Sequence, residues 1–373
     1  MSDSSARMSE LRRTVERVTP HTFVVPTDGA ESDGTFHWEA TTVIVVEVGC
    51  DGHWGLGYTY GPRAVASVIG HELRDVVCGS DPLTPQRTWE AMHAALRNAG
   101  QSGIGAMAIA ALDIALHDLR ARLLDVPLAV ALGAVRDAVP IYGSGGFTSY
   151  PVQRIAEQLA GWVAQGIPRV KIKVGRHPGQ DPERLTAARD AIGPDVELMV
   201  DANGAFSPET AVAWARRYAD FDARWLEEPV TQDDPAGLRR VREQAPPELA
   251  IASGEYSWSR YATARLLQAE AVDVVQADVT RCCGATELAR IDALCAAANR
   301  PLSLHCAPAI SAHAGCALTQ LRHLEYFHDH LRIEDMLFDG TLSPVDGALA
   351  PDLTVPGHGL ELKRADAQRY AVS

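Results

Sequence analysis

The sequence is poor in aromatic residues and in basic charge. Phe, Trp and Tyr make up 6% of its 373 residues, and 34 Lys and Arg face 48 Asp and Glu, for a formal net charge of −14. Such a chain has no basic face to neutralise a phosphate backbone, so no nucleic-acid partner is expected. A small anionic substrate is still compatible, because it responds to the local field of its site. Cysteine is present without pattern: seven, an odd number, at positions 50, 78, 282, 283, 295, 306 and 316, with no CxxC pair. That argues against a disulfide framework or a thiolate zinc site, and for a reducing compartment. No run of about 18 apolar residues exists, and the most apolar segment, Ile104 to Leu116, carries Asp113. The opening MSDSSARMSELRR lacks the apolar centre of a secretion signal. The expectation is a soluble, cytoplasmic protein with no membrane partner.

Apolar residues make up 46% of the chain, which is globular rather than disordered. The length fits two or three small domains, or one barrel with an appendage. Residues 1–16 read as a polar lead-in. Residues 17–135 mix strands with helices. Thr22–Val25 and Thr41–Val48 (TTVIVVEV) are β-branched and read as strands, and the Gly- and acid-rich stretch between them reads as a mobile loop. GLGYTYGP at 55–62 reads as a Gly-bracketed turn. Helical periodicity runs from Val65 to Leu132 and is strongest in Gly105–Leu124, a helix with small residues on several faces that is expected to be buried.

Across residues 136–336 the rhythm changes. Eight short apolar runs (VPIYGSGG, RVKIKVG, ELMVDANG, RWLEEP, LAIASGE, VDVVQAD, PLSLHCAP and HLEYF) alternate with helical segments such as Gln153–Gln165, Pro182–Ile192, Pro208–Tyr218 and Ala285–Ala298. Eight strand–helix units predict an α/β fold, a (β/α)8 barrel. Residues 337–373 return to Gly- and Pro-rich loops.

Six consecutive runs carry ionisable groups at their C-terminal ends: Lys171 and Lys173, Asp201, Glu227 with Glu228, Glu255, Asp278, and His305. From Lys173 onward they recur every 23 to 28 residues, close to one barrel unit of roughly 31 residues. In a barrel they converge on one mouth. A buried charge costs several kcal/mol unless it is paired or coordinated, so six in register are poorly explained as solvated decoration.

Asp201, Glu227 and Glu255 together form an all-oxygen set, which suits Mg2+; zinc would require His or Cys among the ligands. Lys171 and Lys173 lie two apart on a strand and face the same way. Like-charge repulsion is expected to lower their pKa values towards those of a general base. Asp278 and His305 come from adjacent runs, and a carboxylate on one imidazole nitrogen leaves the other free to move a proton. Glu325 ends the eighth run and is taken as a further site residue. His323, His328 and His330 read as surface groups rather than a metal site.

These motifs are where a resemblance enters. KIKVG, VDANG, WLEEP, SGE, VQAD and LSLH, together with the helix ALDIALHDLRARLLDVPLAVALG at 111–133, resemble the enolase superfamily, and within it the mandelate racemase subgroup of acid-sugar dehydratases and racemases. The likeness spans nearly all of residues 17–365. It implies an N-terminal α+β capping domain over 17–135, the barrel over 136–336, a segment 337–373 returning to the cap, and a homo-oligomer. It implies Lys173 as one acid/base, with Lys171 touching the substrate carboxylate. It implies Mg2+ on Asp201, Glu227 and Glu255 with Asn203 beside it, the Asp278–His305 dyad as the opposite acid/base, and Glu325 bonded to the substrate. His117 stands where Trp is usual in the family, and GLGYT where GxGE is common.

The implied reaction is removal of a proton alpha to a carboxylate, through an enediolate. A polar pocket loop with Asp28, Glu31, Ser32, Asp33, His37, Tyr58 and Tyr60 suits a hydroxylated sugar acid, and the loop Pro26–Ala40 is expected to close over it. Dehydration to a 2-keto-3-deoxy acid is therefore preferred. Racemisation or epimerisation is the alternative, and a non-catalytic ligand-binding barrel is the reading from another class.

Overall fold

The β-branched residues near the N-terminus form longer strands than their composition alone predicts. The computed structural model describes residues 13–372. Most of the expected lead-in, residues 1–12, lies outside the described residues. Residues 13–16 are tied down rather than frayed, since Val15 N donates to Ser80 O at 2.9 Å and Glu16 N to Gly49 O at 2.8 Å.

Strands β1 (Arg17–Ser32), β2 (His37–Cys50) and β3 (His53–Tyr60) form an antiparallel sheet, which Ala371–Val372 at the C-terminus extends along β1. TTVIVVEV is apolar on both sides because both faces are covered. Val43 and Val45 join the core that continues into the barrel, while Ile44, Val46 and Val48 pack with Ile109, Leu112 and Leu116 of the helix Ile104–Leu123. That helix is buried along almost its whole length, as expected.

Two local expectations are corrected here. GLGYT is strand, not turn. A Cβ on Gly55 or Gly57 would lie 2.1 Å from the carbonyl oxygens of Ala115 and Ala111, so these glycines let β3 lie directly on the helix. The 26–40 segment is not a free loop either. It is the distal end of the β1–β2 hairpin, with an irregular register between Pro26 and Glu31.

The eight apolar runs form strands β4 (Val139–Gly145), β5 (Arg169–Lys173), β6 (Glu197–Asp201), β7 (Ala223–Glu227), β8 (Ala250–Ser253), β9 (Val274–Ala277), β10 (Leu302–Leu304) and β11 (Leu321–Phe327). They are parallel neighbours in chain order, and β11 pairs with β4 to close the barrel. A helix follows every strand, from Val152–Ala164 after β4 to His328–Leu337 after β11. The four predicted barrel helices lie within one residue of their expected starts and ends. Inside the barrel, Tyr142, Met199, Trp225, Ala252 and Val274 form an apolar layer. Complete burial of a large side chain there stabilises by about 1.5–3 kcal/mol and keeps the mouth from opening into a pore. Among the described residues no helix is long and apolar enough to cross a membrane.

Candidate active site

Parallel registry places the charges at one level. Lys173 pairs with Asp201, Asp201 with Glu227, and Glu227 with Ala252, three residues before Glu255. Lys171 and Lys173 project to the same side of β5, as the period of two requires, and both are buried. The end of β5 is held by Arg184, whose guanidinium donates to the carbonyls of Lys173 at 2.7 Å and Gly146 at 2.8 Å. Just past the strands, Asn203, Glu228, Cys306 and Ala307 all have positive φ, from 40° to 49°. Left-handed backbone costs a non-glycine residue of order 1 kcal/mol, and here it turns the chain sharply at the barrel mouth.

One ligand oxygen from each of Asp201, Glu227 and Glu255 lies within 4.8 Å of the others, and all three side chains are buried. Lys173 Nζ contacts Asp201 Oδ2 directly. Lys171 Nζ lies 2.6 Å from Glu227 Oε1, 2.8 Å from Glu325 Oε1 and 3.6 Å from Asp201 Oδ2. Trp225 donates to the other Glu227 oxygen at 2.9 Å, and Ser144 to Glu325 at 2.6 Å. Across the mouth, His305 Nδ1 is 2.8 Å from Asp278 Oδ2, while the second Asp278 oxygen accepts from both N and Oγ1 of Thr280 at 2.7 Å. His305 Nε2 points inward, 3.0 Å from Glu255 Oε2 and 3.4 Å from Glu325 Oε2.

The fields follow from this packing. Burial opposes the charge on Lys171, but Glu227 and Glu325 outweigh it and hold the ammonium well above the ordinary lysine range. Burial also opposes the charge on Lys173, and Asp201 outweighs both burial and repulsion from Lys171. The expected downward shift of the lysines is therefore reversed here, because each has a carboxylate nearer than it has the other ammonium. Burial, then repulsion from Asp201, pushes Glu227 up to about 8. Glu255 goes the other way: His305 outweighs burial and keeps its carboxyl well below the usual range. For His305, burial is overcome by Cys306, Glu255, Glu325 and the Asp278 bond, and its pKa rises well above 6.5.

A cavity of about 680 Å³ opens over these groups, within the usual range for a small-molecule site. Lys173, Asn203, Glu255 and His305 line its floor, and Asp33, Thr35, Phe36, Trp38 and Tyr60 of the cap line its roof. The roof is stitched to the floor where Thr35 Oγ1 donates to the Asn203 carbonyl at 3.1 Å. Lys171, Asp201, Glu227 and Glu325 lie directly beneath, fully buried.

Two predicted substrate contacts are not brought to this cavity. His37 is exposed, because alternation along β2 turns its neighbour Trp38 inward instead. Tyr58 is buried two residues below Tyr60, and its hydroxyl donates to Glu334 at 2.6 Å. Asp28, Glu31 and Ser32 also lie outside the lining. Nor are the three histidines surface groups: His323 is buried beside Ser303, His330 is buried and stacked on Tyr60 at 3.4 Å, and only His328, paired with Asp28, is partly open. Conversely, Arg281, Tyr256, Asp329 and Cys306 line the cavity without having been singled out. Arg281 carried one available signal, since it follows Asp278 by three residues.

The family comparison agrees with this architecture. Residues 13–133 match the mandelate racemase / muconate lactonizing enzyme N-terminal domain, and residues 154–367 match the enolase C-terminal domain-like family. The chain belongs to the mandelate racemase/muconate lactonizing enzyme family of the enolase superfamily. Its relatives include a 3,6-anhydro-alpha-L-galactonate cycloisomerase from Streptomyces coelicolor, 32% identical over 96% of this chain and 99% of that one. An L-talarate/galactarate dehydratase from Salmonella typhimurium is 33% identical over 82% of this chain and 77% of its own. Among solved structures, a mandelate racemase/muconate lactonizing enzyme-like protein from Rubrobacter xylanophilus has 55% identity and a TM-score of 0.94, over 96% of this chain and 99% of that one. A racemase from Streptomyces coelicolor with bound magnesium has 31% identity and a TM-score of 0.90, over 96% and 100%.

As a member of this family the chain is an enzyme of the lyase or isomerase type, and the family's Mg2+ fits the residues present. The donor set is three hard oxygens, and Glu228 Oε2 and Asn203 Oδ1 are buried without hydrogen-bond partners. The family departure at His117 lies in the cap–barrel contact, where the ring bonds to Thr286 at 2.9 Å.

Proposed function

We propose that the enzyme removes the proton alpha to the carboxylate of a sugar acid and expels the β-hydroxyl, giving a 2-keto-3-deoxy acid. The observation that carries this reading is the opposition of two proton carriers, Lys173 and His305, on either side of one buried carboxylate cluster. Asp201, Glu227 and Glu255 would hold Mg2+, which supplies the positive charge against which a carboxylate accepts a second negative one. Lys171 adds a fixed ammonium beneath the same carboxylate, and Asn203 and Glu325 orient it. Preorganised charge of this kind is worth about 3–4 kcal/mol per contact.

Each base faces one side of the alpha carbon. Lys173 takes or returns the proton on one side. To take it the ammonium must first be neutral, and Asp201, once committed to a metal, would no longer be the carboxylate that keeps it charged. His305, its Nδ1 bonded to Asp278, presents Nε2 on the other, and there it protonates the departing hydroxyl. The cap residues over the cavity exclude water from the enediolate. Asp33, Thr35, Asn203 and Arg281 offer a hydroxylated chain more polar partners than an aryl group would use. Racemisation or epimerisation uses the same two groups, with the second returning a proton to carbon. The cycloisomerase relative adds a third outcome, in which an oxygen of the substrate itself forms or opens a ring. We place the enzyme in the cytoplasm, consistent with seven free thiols, and as a homo-oligomer, as the family implies.

The test is a panel of mono- and diacid sugars incubated with Mg2+, read by 2-keto acid formation and by NMR in D2O. Keto acid formation supports dehydration. Alpha-proton exchange or inversion without keto acid moves the assignment to an isomerase, and neither outcome with any acid overturns the reading.

A further inference from the structure

The mouth holds a second cluster of ligand atoms that differs in kind from the three carboxylates. His305 Nε2, Cys306 Sγ and Glu325 Oε2 form a nearly equilateral triangle: Cys306 Sγ is 3.2 Å from each of the other two, which are 3.4 Å apart. An ion at its centre is about 1.9 Å from each atom, and one lifted about 1 Å out of the plane is about 2.1 Å from each, near the lengths of zinc–nitrogen, zinc–oxygen and zinc–sulfur bonds. His305 and Cys306 line the cavity, so two corners of the triangle border the chamber where substrate would sit. The left-handed backbone at Cys306, with φ 49°, brings its thiol beside the preceding imidazole.

The supporting contacts are also those of a metal site. Asp278 holds His305 by Nδ1, which leaves Nε2 to face the triangle and Glu255 Oε2 at 3.0 Å, the usual arrangement of a zinc-bound histidine. Glu325 is fixed through its other oxygen by Ser144 and Lys171. The cations Lys171 and Arg281 near this triangle are answered by Glu227, Glu255 and Asp278. Thiolate and imidazole prefer borderline and soft ions, whereas the carboxylate cluster prefers Mg2+.

We propose that His305, Cys306 and Glu325 form a second, inhibitory site for Zn2+ or a similar thiophilic dication, adjoining the magnesium site but with a different ligand set. Binding displaces two protons, that of the Cys306 thiol and that of the His305 imidazolium at Nε2; both pass to solvent, and the ion occupies the Nε2 lone pair so freed. Binding stands on the geometry alone. The inhibition rests on the proposed role of His305 in proton transfer.

Cobalt(II) serves as the spectroscopic probe and zinc as the inhibitor, both added to the full-length enzyme saturated with Mg2+. Cobalt should produce a thiolate-to-metal charge-transfer band in the near ultraviolet with strong tetrahedral visible bands, and Zn2+ should bleach both. Cys306→Ser should abolish the charge-transfer band, with Cys306→Ala as a second variant should the first fail to fold. Zinc should inhibit turnover despite excess Mg2+, and Cys306→Ser should weaken that inhibition by about tenfold or more. A wild-type cobalt spectrum with only weak octahedral absorption overturns the site. So does zinc inhibition that Mg2+ relieves equally in wild type and Cys306→Ser, because zinc then acts at the carboxylate cluster. If no sugar acid turns over, the cobalt spectrum still decides binding.

Discussion

The lysine side and the histidine side of the mouth are equally buried but differently held. Lys171 and Lys173 are paired with Asp201, Glu227 and Glu325, two of which belong to the proposed magnesium set. His305 has a partner of its own in Asp278, outside that set and anchored by Thr280. Both proposed proton carriers therefore touch the metal set, His305 through Glu255 at 3.0 Å, but only His305 also has a counter-charge outside it. A change at Asp201 or Glu227 should reach both the metal and the lysines, whereas a change at Asp278 should reach the imidazole and spare the metal.

The largest effect expected follows from removing the metal or weakening its site. Chelation should abolish turnover, and Glu227→Gln should lose most of the Mg2+ affinity while also removing a counter-charge of Lys171. Calorimetric Mg2+ titration alongside the rate checks this, and full activity in a metal-free preparation would break the assignment.

Next in size is the pair of side-specific losses. Lys173→Ala should lower exchange of the alpha proton in D2O by about 10²–10⁴-fold for one substrate configuration and spare the other, and His305→Asn should do the reverse. For a dehydration, either change should stop keto acid formation. Exchange retained in both configurations by both variants would show that the two sides are not separate bases.

A smaller effect should follow Asp278→Asn. It leaves the imidazole in place but removes the carboxylate that orients it, so the rate should fall by about 10–100-fold, with Mg2+ affinity unchanged. Equal damage to metal binding would erase the distinction between the two sides.

The smallest effect concerns the roof. Burial, and then repulsion from Asp329, raises the Glu31 carboxyl from 4.5 to about 8. A group raised in the folded state contributes stability that is complete below its unfolded pKa and lost as pH rises through the folded value. Glu31→Gln removes this loss. Its melting temperature relative to wild type should therefore climb by a few degrees between about pH 5 and pH 9, at about 1–2 °C per kcal/mol for a chain of this size. A difference that does not vary with pH would contradict the shift.

What was legible in the sequence was the part governed by periodicity. Lys173, Asp201, Glu227, Glu255, Asp278 and His305 stand at strand ends one barrel unit apart, and the closed parallel sheet brings them to one level. The roof followed no such repeat. Whether Trp38 or His37 faces inward depends on the register of the β1–β2 hairpin, which the irregularity between Pro26 and Glu31 resets. Tyr58 and Tyr60 share a face of β3, but only distance from the rim separates a core tyrosine from a cavity tyrosine. The direction of the lysine shifts was missed for a related reason: sequence spacing shows that two ammonium groups are near each other, but not that carboxylates are nearer.

The hairpin tip rests on the barrel through Gly34, where a Cβ would stand 2.1 Å from the Ala202 carbonyl oxygen and 2.9 Å from that of Val174. The ceiling height of the chamber is thus set by a hydrogen atom where any other residue would place a carbon. The groups assigned to proton transfer all belong to the barrel, and this ceiling belongs to the cap. One methyl group at position 34 would lift the ceiling without touching a single acid or base. Which molecules are admitted and what is done to them can therefore drift apart along one chain, each at its own pace.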